Sequence, residues 1–386
     1  MVDTKRVAII SPHFWPNYGT MLQAYALQNV IEQWGYKSEY ISYQGRLMGI
    51  RHFTNIAKKL VMNPAYALKK FRGKVKMDNC DYFFHDENFA STWKAFVQWH
   101  NHLIHYTSNI YNHQTLHQLN QRYDLFIVGS DQTWSPFANM NYATFYYNFL
   151  CFVDDNRKKV SYAPSFGTFN LSEEYKRKVL KALKSFNFIS CRETKGARWL
   201  SESLGREVKG VLDPTLLLAA EDWERVSRPM QMPEKYVLCY CLGGKKCVSD
   251  FAEKVGEQER LPVYYILTRP DYLQNENCIS GVGPGEFLTL IRKAKYVCTD
   301  SFHGTIFCIN FNIPFFSFTK REESDKQNDN ERIQNILSEF SLENRFRTDA
   351  DMDVDGSCDF VKANDILFRR RKESLEYLRH ICECQL

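Results

Sequence analysis

Short runs of apolar residues recur along this chain, each closed by a polar or glycine-bearing turn and followed by helical periodicity. Val7-Ala8-Ile9-Ile10 predicts a buried strand that leads through Asn17-Tyr18-Gly19-Thr20 into a helix from about Thr20 to Trp34. Leu22, Ala26 and Val30 lie four apart on one face of it. Gly35 ends the helix, and Lys37 to Ser42 begins the next strand, which completes a βαβ unit. Leu125 to Val128 repeats the pattern and stops at Gly129-Ser130-Asp131-Gln132. Lys159 to Tyr162 is a further strand. A helix from Glu173 to Ser185 follows, then a strand, Phe188 to Cys191, that ends at Arg192-Glu193.

The second half repeats this rhythm. Val211-Leu212-Asp213-Pro214-Thr215 reads as a bridge into a strand from Tyr236 to Leu242, which closes on Gly243-Gly244-Lys245-Lys246. That turn lacks the full P-loop pattern and is a candidate anion contact only. A strand at Val263 to Leu267 and a helix from Gly285 to Lys293 lead to the junction Val297-Cys298-Thr299-Asp300-Ser301-Phe302-His303-Gly304-Thr305. A strand from Ile313 to Phe318 ends at Lys320 and Arg321, and residues 320 to 331 are almost wholly polar, as in a lid or a solvated loop. The last helix spans about Asn364 to Cys384, with Leu367, Leu375, Leu378 and Cys382 on one side. Its basic run, Arg369 to Lys372, fits either a solvated outer face or peripheral contact with anionic lipid on the inner membrane face.

Two successive α/β halves predict two Rossmann-like domains facing across a cleft, as in the GT-B class. The expected boundaries are 1–208, with a helical insertion at about 45–120; 209–350; and a C-terminal helical segment, 351–386, that packs back on the body. In such sheets ligands bind at the carboxyl ends of strands, and a following helix aims its amide-rich start at them. That rule singles out Asn17 and Gly19, then Ser130, Asp131 and Gln132, then Arg192, and finally Ser301, His303 and Gly304. The same signals fit less active roles. Asn17-Tyr18-Gly19 also reads as a plain turn, Asp131 as a helix cap, Arg192 as a surface partner of Glu193 or Glu202, and His303 as a polar residue at a capped helix.

Composition narrows the class. The chain has 386 residues, 44 % of them hydrophobic and 25 % charged, which suits a soluble protein of two domains. No run of eighteen apolar residues occurs, and no signal-peptide pattern opens the chain, so a cytoplasmic protein with reduced thiols is expected. The net charge of +5 is spread out. No basic block with interleaved aromatics suggests nucleic acid as a partner. Cys239 and Cys241, like Cys382 and Cys384, are spaced too closely for a structural zinc site. His113 and His117 have a ligand-like spacing but no acidic neighbour, so no metal is expected.

Taken in order, NYGTMLQAYAL, IVGSDQTW, SYAPSFG, SCRETKG, VLDPTLLL, GPGEFL and TDSFHGTIFCINFNIPF resemble the polysaccharide pyruvyl transferase family, from about residue 7 to 347. The resemblance implies a bacterial enzyme that moves the enolpyruvyl unit of phosphoenolpyruvate onto a sugar, or onto a lipid-linked oligosaccharide, and usually leaves a pyruvate ketal. It implies phosphoenolpyruvate as co-substrate with no other cofactor, a donor side in the second domain and an acceptor side in the first. The family's donor-binding histidine falls on His303 and an arginine of its first domain on Arg192. A basic residue near the next strand end falls on Lys320 or Arg321. Asp131 is the candidate for orienting or deprotonating the sugar hydroxyl, and Asn17, Gly19, Ser130 and Gln132 line the cleft. One departure stands out: well-studied ketal-forming members carry an arginine two residues before the histidine, where this chain has Ser301. Lys320, Arg321 or Lys245 would then supply the missing cation. Two alternatives share these features, a GT-B nucleotide-sugar glycosyltransferase and a non-catalytic sugar-binding relative.

Overall fold

The computed structural model describes residues 5–14, 16–44, 87–243, 245–268, 272, 276–320, 331–348 and 353–384. Its first sheet consists of β1 (Arg6–Ile10), β2 (Lys37–Tyr40), β3 (Leu125–Val128) and β4 (Lys158–Ser161). All pairs are parallel, in the order β2-β1-β3-β4. The apolar runs seen in the sequence become strands covered on both faces, as parallel sheets require. Beside this sheet, β5 (Ser190–Cys191) and β6 (Lys209–Gly210) form a short parallel pair, which Phe188 links to β4 by a bridge to Val160.

The second sheet contains β7 (Val237–Tyr240), β8 (Val263–Ile266), β9 (Cys278–Ile279), β10 (Tyr296–Thr299), β11 (Phe315–Phe318) and β12 (Phe346–Arg347). Its order, β12-β11-β10-β7-β8-β9, is all parallel. Counted within that half it is the 3-2-1-4-5-6 order of a dinucleotide-type sheet. The direction of winding reverses between β7 and β10, as it does between β1 and β3 in the first sheet. These reversals leave a crevice at the strands' carboxyl ends.

Two helices sit between the sheets and are buried nearly all round. The helix Tyr18–Gln33 hides Met21, Ala24, Leu27 and Ile31 as well as the Leu22, Ala26 and Val30 stripe. The second-half helix Phe302–Phe311 is buried from Phe302 to Asn310. A one-faced pattern would suffice against one sheet; the second face is covered by the other half of the molecule. Tyr18 carries much of that contact. Its ring stacks on Phe287 at 4.3 Å, and its hydroxyl donates to the Val282 carbonyl at 3.0 Å.

The last helix is Phe360–Glu383, four residues longer at its start than expected, because the Asp359 side chain caps it by accepting from Val361 N. It crosses back to the first half. Ser374 Oγ accepts from Leu212 N at 3.0 Å, and Tyr377 donates to the Ser161 carbonyl at 3.2 Å. The basic run is divided by this docking. Arg369 and Lys372 are exposed, but Arg370 pairs with Glu339 at 2.6 Å, and Arg371 donates to the Leu216 carbonyl at 2.6 Å and Asn310 at 2.9 Å. Half of the run is therefore an internal clamp, neither a solvated stripe nor a lipid-facing one. No described helix is long and apolar enough to cross a membrane.

Much of the predicted insertion, 45–86, lies outside the described residues. The remainder holds the helix Glu87–Leu103 and a 3-10 turn, Leu116–Gln121. His113 precedes that turn and packs on Tyr142 and Tyr146, so it does not share a helix face with His117. No cluster of three His, Cys, Asp or Glu suited to a metal occurs among the described residues.

Candidate active site

The loops that follow β1, β3, β7 and β10 converge on a cavity of about 370 Å³. Asn17, Thr20, Asp131 and Gln132 line it from the first half, and Asp300, Ser301, Phe302, His303, Lys320 and Arg332 from the second. Each loop is shaped by local chemistry. Gly129 has φ +116°, and a Cβ there would meet the Tyr162 carbonyl oxygen at 2.1 Å, so only glycine makes the turn that presents Asp131. Asp131 Oδ2 accepts from Thr20 Oγ1 at 2.9 Å, and Oδ1 from the Gln132 amide at 2.8 Å. Ser130 is fully buried, and its Oγ accepts the Asp131 amide, so it builds the turn and does not line the cavity.

Across the cleft, Ser301 starts the helix Phe302–Phe311 as its N-cap, with Oγ accepting from Gly304 N at 3.3 Å. That bond satisfies the Gly304 amide, one of the first-turn donors that the helix itself leaves unpaired. His303, on the first turn, lies directly on the other half of the molecule. A Cβ at Gly19 would come within 1.9 Å of His303 Nδ1, so the imidazole occupies the space that any other residue at position 19 would fill. Its Nε2 faces Asp213 Oδ2 at 3.6 Å, within ion-contact range but longer than a closed hydrogen bond.

Asp213 organises the floor of the site. It is 2 % exposed. Oδ2 also accepts from Arg192 Nη1 at 2.9 Å, while Oδ1 takes the Thr215 amide at 3.0 Å and the Thr215 hydroxyl at 2.8 Å. Burial by itself would raise its pKa, but His303, Arg192 and the Thr215 amide together hold the carboxyl well below the usual range. Arg192 shows the complementary balance. Burial opposes its charge, while Glu193, Asp213 and Asp131 outweigh it and raise its pKa. Arg192 is thus an internal residue held by Asp213, with Glu193 3.5 Å from its Nε, and Nη2 is buried with no hydrogen-bond partner among the described residues. It does not line the His303 cavity. It lines an adjoining one of about 600 Å³, and Phe302 and Arg332 are common to both.

A second buried carboxylate, Asp300, fills the place expected to contact an anion after β7. Its oxygens accept from the Leu242 amide at 2.7 Å and the Gly243 amide at 2.6 Å. Burial raises its pKa against the pull of those amides, the Cys241 thiol and Lys320. Lys245 turns to Thr319 Oγ1 at 3.1 Å, and Lys320 lines the cavity. Arg321 and Gly244 lie outside the described residues.

The polysaccharide pyruvyl transferase model matches residues 17–320, most of the chain. The chain belongs to that family. No curated protein matches it at a significant level. Among solved structures it is similar to the UDP-GlcNAc 2-epimerase of Methanocaldococcus jannaschii, at 11 % identity over 96 % of this chain and 93 % of that one, with a TM-score of 0.50. It is also similar to UGT89C1 of Arabidopsis thaliana in its complex with UDP-L-rhamnose, at 10 % identity over 99 % and 100 % of the two chains and a TM-score of 0.49. At 11 % identity the likeness to the epimerase is one of fold, and that fold is GT-B. The sequence points to Asn17, Asp131, Gln132, Ser301, His303 and Lys320, and the structure brings these to the cavity; Gly19, expected in the cleft, does not line it but lies beneath the His303 ring. The sequence had not flagged Asp213, Asp300, Phe302 or Arg332. Asp213 sits in an Asp-Pro-Thr turn that reads as a linker, and Arg332 follows a polar stretch with no periodic signal.

Proposed function

We propose that the protein transfers the enolpyruvyl unit of phosphoenolpyruvate to a sugar of a bacterial surface polysaccharide, or its lipid-linked precursor, and closes it to a ketal. The observation that carries the reading is His303, pinned between Gly19 of one half and Asp213 of the other, at a cavity rimmed by Asp131 and Lys320. Phosphoenolpyruvate bears roughly three negative charges, so it needs fixed cations and amide donors. Lys320, Arg192 behind Phe302, and the start of the helix Phe302–Phe311 supply them.

In this mechanism a sugar hydroxyl attacks C2 of the donor while a proton is delivered to the methylene carbon, which becomes the methyl group. His303 delivers that proton, and Asp213 holds its ring in place. Asp131 orients the hydroxyl and takes its proton. A second hydroxyl then displaces the phosphate, whose leaving oxygen carries away the last proton, and the ketal closes. Asp131 suits its role because it stands at the cavity with Oδ2 held by Thr20 Oγ1 and Oδ1 by the Gln132 amide, and a carboxylate oxygen can accept a further hydrogen bond. The site works in the cytoplasm, where phosphoenolpyruvate is available. Exposed Arg369 and Lys372 leave room for a weak peripheral approach to the membrane.

The test is phosphate release from phosphoenolpyruvate, paired with mass spectrometry of surface polysaccharide from cells with and without the protein. The ketal should appear only with it. His303→Ala should slow turnover by roughly 10²- to 10⁴-fold. His303→Gln, which keeps a donor but cannot titrate, should bind phosphoenolpyruvate and fail to turn it over. Release of a nucleoside diphosphate from a nucleotide sugar, with phosphoenolpyruvate ignored, would replace this reading by glycosyl transfer.

A further inference from the structure

Arg332 reaches the same cavity from the helix Glu331–Glu339, well outside the strand-end loops. Its guanidinium lies over the Phe302 ring at 5.5 Å, and Arg192 lies over the same ring at 4.5 Å. Phe302 is 7 % exposed and precedes His303 at the helix start, so it is a rigid pedestal for two cations. With its amide oxygen turned toward Arg332, Gln132 accepts from Nη1 and Nη2, each at 3.1 Å. That paired approach is the geometry in which an arginine grips a carboxylate or a phosphate. Here the neutral amide of Gln132, from the opposite half of the molecule, makes that approach. Ser301, two residues before the histidine, caps the helix and brings no charge to the cavity.

We propose that Arg332 is a donor-binding residue whose two terminal nitrogens grip an anionic end of the substrate, and that Gln132 is a placeholder the anion displaces. This inference rests on the phosphoenolpyruvate reading above. Arg332 lines both cavities, so a donor lying along Phe302 meets Arg332 at one anionic group and the Arg192 side at the other. An ionised oxygen is a stronger acceptor than an amide oxygen, which sets the direction of the exchange. The cation is thereby supplied from the helix beyond the polar stretch, and not from Lys320 and Arg321 alone.

The test is calorimetric titration of the full chain with phosphoenolpyruvate, alongside steady-state kinetics. Arg332→Ala should weaken donor binding about ten- to a hundredfold, the loss of a charge-assisted pair, while kcat at saturating donor changes far less. Arg332→Lys should restore only part of it, and added methylguanidinium should partly rescue the alanine variant. Gln132→Met keeps the length of the side chain and removes the placeholder oxygen, so donor binding should tighten by about two- to tenfold. A purely structural role for the Gln132–Arg332 contact would make that variant weaker. Wild-type affinity in Arg332→Ala, or weaker binding in Gln132→Met, overturns the assignment. Failure of the unmodified chain to bind phosphoenolpyruvate would instead sink the functional reading on which it rests.

Discussion

Asp213→Asn is the perturbation that probes the site's architecture most directly. The carboxylate accepts from Arg192 Nη1 at 2.9 Å through one oxygen and from the Thr215 amide and hydroxyl at 3.0 and 2.8 Å through the other. An asparagine cannot satisfy both sides. If its oxygen stays on Thr215, its NH₂ faces a guanidinium donor; if it turns round, the NH₂ faces the Thr215 amide. Either way Arg192, whose side chain is 4 % exposed, loses its close counter-ion in the interior. Breaking a buried pair from one side costs about 3–5 kcal/mol, because an uncompensated charge remains. Urea unfolding should register that loss, and the double variant Asp213→Asn, Arg192→Met should recover part of it. The pH dependence has a definite sign. Asp213 is more acidic folded than unfolded, so its stabilisation is present above its unfolded pKa of about 3.9 and fades as pH falls toward the folded value. The gap between wild type and Asp213→Asn should therefore be full near neutrality and narrow only in strong acid. A cost below about 1 kcal/mol at pH 7, or a gap that widens on acidification, would refute this account.

Gly19→Ala should force His303 out of its place, since the new methyl would stand 1.9 Å from Nδ1. We expect about 1–3 kcal/mol of destabilisation from overpacking, and a loss of turnover near 10²-fold, read by urea unfolding and phosphate release. Arg371→Ala should strip the Leu216 carbonyl and Asn310 of their donor and cost about 1–3 kcal/mol in unfolding free energy, with no change in sedimentation with anionic vesicles.

Much of this molecule is written locally. The strands at Val7, Leu125, Tyr236 and Val297 are apolar runs of the kind a doubly covered parallel sheet accommodates, and their positions were legible to within two residues. The polar loops at their ends were legible for the same reason, because turns and helix caps are chosen by nearby residues. Ser301 caps its helix, as the capped-helix reading of that junction expects, whereas Asn17, read as a turn or cleft residue, caps a helix that starts two residues earlier than expected. Which loops meet is another matter. Nothing near Gly19 signals that its missing side chain makes room for a histidine 284 residues later. Nor does the Asp-Pro-Thr turn announce that its carboxylate holds both Arg192 and His303. Arg370 and Arg371 look solvated in a basic run, and become internal because the last helix folds back across both halves. Hydrophobic periodicity and capping act over a few residues and so can be read from the chain alone. Close approach, counter-ion choice and the sharing of Phe302 by two arginines are properties of surfaces that meet only once both sheets are built.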